Sequence, residues 1–209
     1  MSRNHRATKQ AQNRGQSRNQ GPRLFIGIRP APDTQVFLDT LVAHCRQQLG
    51  RSSESAMRWT SQANRHLTLA FLGETPSELV PALEAGIIEI AAQSRPCQAR
   101  AVTLHPFPRS RSRLLAAELL TNPDLDRLHR LCRELMIQLG LVPESAAYRP
   151  HFTLGRNQRG FPRFQPVALD RVVELNNIVL YESRLAPGGS QYHPLLEAEL
   201  ANSKDPGHT

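Results

Sequence analysis

His66-Leu67-Thr68-Leu69 and His151-Phe152-Thr153-Leu154 are two copies of one short phrase. Side chains alternate faces along a β-strand, so each copy puts His and Thr on one side and two apolar residues on the other. That pattern calls for a sheet with one wet face and one covered face. Imidazole and hydroxyl together can move a proton and hold a phosphate oxygen, so two such pairs facing each other supply the acid and the base of a phosphoester reaction. Taken singly, either copy reads equally well as a half-buried histidine beside a threonine that follows β-propensity. The repetition favours catalysis: each copy follows a polar or Pro-containing run (residues 61–65; Tyr148-Arg149-Pro150) and leads on to a glycine (Gly73, Gly155).

Working outward, Arg23-Leu24-Phe25-Ile26-Gly27-Ile28-Arg29 reads as a strand closed by Pro30, and Asp33 or Thr34 then caps a helix to about residue 49, with Val36, Phe37, Leu41 and Leu49 among its apolar positions. A short strand at 57–59 precedes the first His-Thr strand at 66–72. Thr75-Pro76-Ser77-Glu78 has the form of a capping box opening a helix to about residue 93. Strands at 98–107 and 113–119 flank the turn Arg109-Ser110-Arg111-Ser112-Arg113. Asn122-Pro123 opens a helix stopped by Gly140. The second His-Thr strand spans 151–155, and strands at 172–181 and 191–200, joined through Pro187-Gly188-Gly189, finish the chain. Strand–helix–strand thus occurs twice with extra strands. The expected fold is α+β and bilobal: two pseudo-symmetric lobes of antiparallel sheet with helices outside, and a central cleft carrying both His-x-Thr motifs.

The chain has 209 residues and a formal net charge of +8. Residues 1–22 hold Arg3, Arg6, Lys9, Arg14 and Arg18 with no acidic residue, and no apolar run able to offset the entropy of ordering. The expected organisation is a disordered basic tail at 1–22, one domain at 23–200 and a flexible end at 201–209. The tail reads either as a solubilising extension or as an arm for RNA phosphates. Cys45, Cys97 and Cys132 are odd in number and far apart, as buried thiols of a reducing cytoplasm would be. With no apolar core after its basic start the tail is no secretory signal, and no stretch is long enough for a membrane span. No Cys-x-x-Cys or His-x-x-x-His spacing marks zinc, so neither metal nor cofactor is expected, and no obligate protein partner is evident.

In this chemistry one neutral imidazole deprotonates a water or hydroxyl while its protonated partner donates to the leaving oxygen. Thr68 and Thr153 donate to the non-bridging phosphate oxygens. Arg156 reads equally as a cationic fork on that phosphate or as a solvated strand-end arginine. Phe25 and Tyr192 are candidates for stacking on a base, although Phe25 also belongs to an apolar run and reads as core. His105, His129 and His193 belong to no paired pattern and read as ordinary surface or helix histidines. Arg109, Arg111 and Arg113 form either a solvated turn or a site of backbone contacts.

The two motifs, with Arg58-Trp59 ahead of the first, Ala70-Phe71-Leu72-Gly73-Glu74 after it, and Arg149-Pro150 and Gly155-Arg156 around the second, resemble the paired signature of the 2H phosphoesterase superfamily. More closely they resemble the bacterial RNA 2′,3′-cyclic phosphodiesterases, also called 2′-5′ RNA ligases. Arg23-Leu24-Phe25-Ile26, Ser112-Arg113-Leu114-Leu115 and Leu180-Tyr181-Glu182-Ser183 with Tyr192 extend the likeness over about residues 23–199. Arg65 departs from it, standing where relatives commonly carry an apolar residue and able to alter the cleft rim. The resemblance implies opening of an RNA-terminal 2′,3′-cyclic phosphate to a 2′-phosphomonoester, on RNA ends or small cyclic nucleotides. His151 would activate the water and His66 protonate the leaving 3′ oxygen. Two alternatives stay open: the reverse joining of RNA ends through a 2′-5′ linkage, and binding of RNA ends without turnover.

Deleting residues 1–22 is expected to leave the melting temperature and the turnover of a mononucleotide substrate unchanged, with any effect confined to long RNA at low salt. Thermal denaturation of the truncated chain checks this; a marked drop would mean that the tail packs on the domain.

Overall fold

The computed structural model describes residues 21–201 apart from residues 55 and 188, and leaves the side chains of 51–54 undescribed. Apart from residues 21, 22 and 201, the expected basic tail and C-terminal end lie outside the described residues. The chain order is β1 (Arg23–Ile28), α1 (Pro32–Glu54), β2 (Met57–Trp59), β3 (Leu67–Glu74), α2 (Val80–Ala92), β4 (Cys97–Phe107), β5 (Leu114–Leu119), α3 (Pro123–Gln138), β6 (His151–Asn157), β7 (Val167–Leu175), β8 (Asn177–Ala186) and β9 (Gly189–Glu199).

The strands form one nine-stranded sheet in the order β7-β4-β5-β6-β3-β1-β8-β9, with β2 added on β6. Every pairing is antiparallel. The order divides into two four-stranded halves, β3-β1-β8-β9 and β6-β5-β4-β7, that mirror each other about the middle. Among the described residues, Leu67 of β3 and Phe152 of β6 are the one strand pair in register between the halves. The pair stands at the beginning of both strands, which then run apart. The fold is the α+β arrangement expected, with its two lobes fused edge to edge.

Helices cover one face of this sheet. Leu67, Leu69, Phe152 and Leu154 turn toward them and are buried with Leu38 and Cys45 of α1, Leu83 and Ile87 of α2, and Leu125, Cys132 and Leu135 of α3. Each such Leu or Phe contributes roughly 1.5–3 kcal/mol through burial. The helices also bind the halves together. α1 leaves β1 of the first half yet lies against β7 of the second, while α3 leaves β5 of the second half and packs on β3 and α2. Gln48, two residues before the break in α1 at Gly50 (φ +66°), holds Gln165 from both sides, its Nε2 donating to the Gln165 carbonyl and its Oε1 accepting from the Gln165 N–H.

Local signals hold in some places and yield in others. Asn122 caps α3 as expected, its Oδ1 accepting from the N–H groups of Asp124 and Leu125, and Gly140 follows the helix at φ +74°. The capping box at Thr75 does not form. Thr75 is buried, its N–H donates to the Pro22 carbonyl and its hydroxyl to that of Gly73, so the chain passes through a 3-10 turn (Ser77–Leu79) before α2 begins at Val80. Val36, expected on the apolar face of α1, is exposed. The single strand expected at 172–181 is two strands, β7 and β8, in different halves. Asn177 begins the second and anchors it: its Oδ1 accepts from the Arg29 N–H and its Nδ2 donates to the Arg29 carbonyl.

Gly27 on β1 faces the strand that carries Thr68, and a Cβ there would lie 2.8 Å from the Leu67 carbonyl oxygen. Main chain cannot swing aside, so Gly27→Ala is expected to separate β1 from β3 and to lower stability by about 1–3 kcal/mol. Urea unfolding measures it; unchanged stability would contradict this close approach.

Candidate active site

Because β3 and β6 run antiparallel and meet at Leu67↔Phe152, Thr68 falls opposite His151 and His66 opposite Thr153. Leu67 and Phe152 point into the core, so the four polar side chains emerge together on the other face. There His66, Thr68, His151 and Thr153 line a single cleft of about 780 Å³. The sequence motif repeats, and the sheet turns the repeat into an approximate two-fold pair.

Both imidazoles are held the same way. His66 Nδ1 lies 2.8 Å from the carbonyl oxygen of Asn64, and His151 Nδ1 lies 2.8 Å from that of Arg149. A carbonyl only accepts, so Nδ1 carries the hydrogen in each ring and Nε2 is left for chemistry. Asn64 is itself pinned, its Nδ2 donating to the Ser190 carbonyl and its Oδ1 accepting from the Tyr192 N–H. Each ring also rests on a phenylalanine: Phe25 lies 4.6 Å from His66 and Phe107 4.1 Å from His151, centroid to centroid.

Beyond this the two sites differ. His66 stands among Phe25, Tyr181 and Tyr192, with Tyr192 edge-on at 4.9 Å. Burial pushes its pKa down to about 4, helped by the positive charges of His151 and Arg156 and opposed by the Asn64 carbonyl. Burial also lowers His151; there the Arg149 carbonyl and the Glu118 carboxylate act in the opposite direction, while the Arg149 and Arg156 charges add to the lowering. Glu118 is paired with His151 across β5 and β6. Its Oε1 accepts from Arg149, whose Nε is 2.7 Å away, and its Oε2 lies 2.7 Å from His105 Nε2. Burial thus favours the neutral ring at both positions, and only His151 has a carboxylate near enough to oppose it.

The remaining expected residues divide. Arg156 and Tyr192 line the cleft. Arg156 pairs in register with Arg58 of β2, so two guanidinium groups share one face of the cleft, an arrangement that favours a bound anion over an empty site. Phe25 is 1% exposed, so its ring cannot stack on a base; it supports the ring of His66 instead. Arg65 is not on the rim: its side chain is 4% exposed and reaches back to α1, where it meets Asp39 at 2.8 Å and so draws that carboxyl below its usual range.

Sequence reading passed over several residues. His129, which belongs to neither motif, lines the cleft, stacks on Tyr148 at 3.9 Å and sets its Nδ1 2.7 Å from the Leu69 carbonyl. Burial lowers its pKa as well. His105 and Glu118 come together only across β4 and β5, so no spacing along the chain announced them. Cys45, Cys97 and Cys132 are buried free thiols, with burial raising each pKa, to about 12, 11 and 12. Among the described residues no group of three or more His, Cys, Asp or Glu is placed to hold a metal ion, and no helix is long and apolar enough to cross a membrane.

A family model described as the 2′-5′ RNA ligase superfamily matches residues 22–175. The RNA 2′,3′-cyclic phosphodiesterase of Bacillus subtilis (strain 168) is 29% identical over 151 residues, which cover 69% of this chain and 78% of that protein. A protein of the same name from Geobacillus stearothermophilus is 29% identical over 159 residues, and the match spans 69% of this chain but only 50% of that longer relative. The crystal structure of TT0787 of Thermus thermophilus superposes with a TM-score of 0.75 at 25% identity, covering 85% of this chain and 97% of the other. E. coli LigT complexed with 3′-AMP shares the fold, with a TM-score of 0.68 at 22% identity over 87% of this chain and 99% of that one.

Glu118 acts on His151 only through the field of its carboxylate and through Arg149, whose carbonyl orients the ring. Glu118→Gln is expected to lower the His151 pKa, because the charge that favoured the imidazolium is gone. Titration of the His151 ring by NMR is the check; an unmoved pKa would remove Glu118 from the site's electrostatics.

Proposed function

The chain belongs to the 2′-5′ RNA ligase superfamily, and from that premise we propose that it opens RNA-terminal 2′,3′-cyclic phosphates to 2′-phosphomonoesters by acid–base catalysis between His66 and His151. The observation that carries the reading is the crossed pairing at Leu67↔Phe152, which sets both His-Thr pairs on one cleft with each Nδ1 engaged and each Nε2 available. The curated relatives' name, RNA 2′,3′-cyclic phosphodiesterase, supports the substrate class.

The cyclic phosphate monoanion lies between the two imidazoles. One, neutral, takes a proton from water at Nε2 as the water oxygen bonds to phosphorus. The other, protonated, gives its Nε2 proton to the 3′ oxygen as the P–O3′ bond breaks, leaving the phosphate on the 2′ oxygen. The proton balance closes without another group. Thr68 and Thr153 donate hydrogen bonds to the non-bridging oxygens as negative charge builds on them. Arg156 with Arg58 holds the same charge, and the anion in turn raises the pKa of both histidines, so that one of them is protonated near neutral pH. Tyr192, edge-on to His66, walls the cleft beside that ring. Buried free thiols and RNA ends as substrate fit work in the cytoplasm.

His66→Ala and His151→Ala are each expected to cost about 10²- to 10⁴-fold in turnover of a nucleoside 2′,3′-cyclic phosphate, with melting temperature retained. Thr68→Val and Thr153→Val should cost less, at most a few kcal/mol of transition-state stabilisation. The wild-type rate is expected to survive EDTA and to give a bell-shaped profile over about pH 5–9, falling on the acid side as the base becomes protonated and on the alkaline side as the acid loses its proton. Near-normal rates in either histidine variant would end the two-histidine mechanism, as would activity lost to EDTA and restored only by a divalent metal. Binding of RNA ends with no wild-type turnover would reduce the protein to an end-binding module.

A further inference from the structure

Beside His151 the cleft opens onto a shallow groove lined by Arg111, Ser112, Arg113 and Leu114, with Phe107, Pro108, His151 and Arg156 common to both. The β4–β5 turn that forms this groove carries three arginines between residues 108 and 113 and no acidic residue. Arg109, Arg111 and Arg113 are exposed, and among the described residues none of their side chains has an ion pair. Arg29, Arg65, Arg100, Arg130, Arg149 and Arg184 each meet a carboxylate. Cations left unneutralised side by side on a surface repel one another, and an anion relieves that repulsion.

The turn is held in place. The Arg109 N–H donates to Ser112 Oγ, the Ser112 N–H to the Arg109 carbonyl, and the Asn157 N–H to the Arg113 carbonyl. Gly160, at φ +70°, brings the loop after β6 so close that a Cβ would stand 3.3 Å from the Arg111 carbonyl oxygen. That loop also carries the exposed Arg159. The other borders carry no such row of cations: Phe71, Pro143 and Ala147 stand on one side, where Arg133 is engaged by the Glu144 carbonyl, and Leu185 stands on another at the β8–β9 hairpin, where Arg58 alone adds a guanidinium beside Gly189. A polyanion leaving the cleft therefore finds its matching charge along the arginine turn.

We propose that the RNA strand on the 5′ side of the terminal cyclic nucleotide leaves the cleft past His151 and Arg156 and lies along the 108–113 turn, with Arg111 and Arg113 on its phosphates. This rests on the cyclic-phosphate reading above and adds to it a substrate preference: an RNA oligonucleotide bearing the cyclic end is a better substrate than the mononucleotide, and more so at low salt.

The test compares the full-length wild type with Arg111→Ala/Arg113→Ala and with Arg111→Lys/Arg113→Lys, on a nucleoside 2′,3′-cyclic phosphate and on a single-stranded RNA oligonucleotide ending in 2′,3′-cyclic phosphate, across a salt series. The alanine pair is expected to keep its melting temperature and mononucleotide rate. Its kcat/KM on the oligonucleotide should fall by about tenfold at low salt, and its log–log salt slope should become shallower by about 0.7 for each phosphate no longer neutralised. The lysine pair should retain the wild-type slope, since a point charge suffices to hold a phosphate. An oligonucleotide rate and slope unchanged by the alanine pair would overturn the strand path while leaving the cyclic-phosphate reading intact. An equal loss on both substrates would also overturn it, placing the arginines in the chemistry or the fold. A wild type inactive on both substrates would overturn the cyclic-phosphate reading and this path with it.

Discussion

One main-chain pairing, Leu67 with Phe152, carries the architecture of this protein. Among the described residues it is the only register contact between two four-stranded halves, and it stands at the start of both strands, where they diverge. On the buried side the two apolar rows continue into the core beneath α1, α2 and α3. On the open side the same crossing sets a threonine of each strand opposite a histidine of the other. A slip of one residue in either strand would send that histidine into the core and leave an apolar side chain in the cleft. Stability and chemistry therefore demand the same register, and the helices that cross from half to half keep it from depending on a single pair.

Near-symmetry of the backbone does not extend to the electrostatics. Both rings donate from Nδ1 to a carbonyl two residues back and both lean on a phenylalanine, so their Nε2 atoms are presented alike. His66 is enclosed by Phe25, Tyr181 and Tyr192, and its surroundings offer the imidazolium little besides the Asn64 carbonyl. His151 has Glu118 nearby, itself shared between His105 and Arg149. Two histidines drawn from one motif thus stand in different electrostatic surroundings, with a carboxylate beside only one of them.

The cleft borders have distinct chemical characters. Arg58 and Arg156 stand together where a phosphate charge would be held, apolar side chains line two sides, and a row of arginines without ion pairs leads away beside His151. Arg65, which by position along the chain belongs with the cleft, instead ties the segment before β3 to α1 through Asp39.

Much of this was legible in the residues themselves. Alternation along 66–69 and 151–154 determines which side chains share a face, because the period of a strand is two whatever surrounds it. Asn122-Pro123 and Gly140 mark α3, because capping and left-handed backbone are local chemistry. The pairing of the motifs, their common cleft and the family they resemble follow from the same phrases. Other features depend on neighbours distant in sequence. Thr75 fails as a cap because Pro22 and Gly73 engage it first, and 172–181 divides because Asn177 is bound to Arg29. Phe25 is a support and not a platform because Tyr181 and Tyr192 close over it. Glu118, His105, Arg149 and His129 join the site only through pairings across strands or packing of α3 on β3. A hydrogen bond or a burial depends on which groups arrive in space, so one-dimensional patterns reveal the periodic and the local, while partnership between distant groups is decided when the sheet closes.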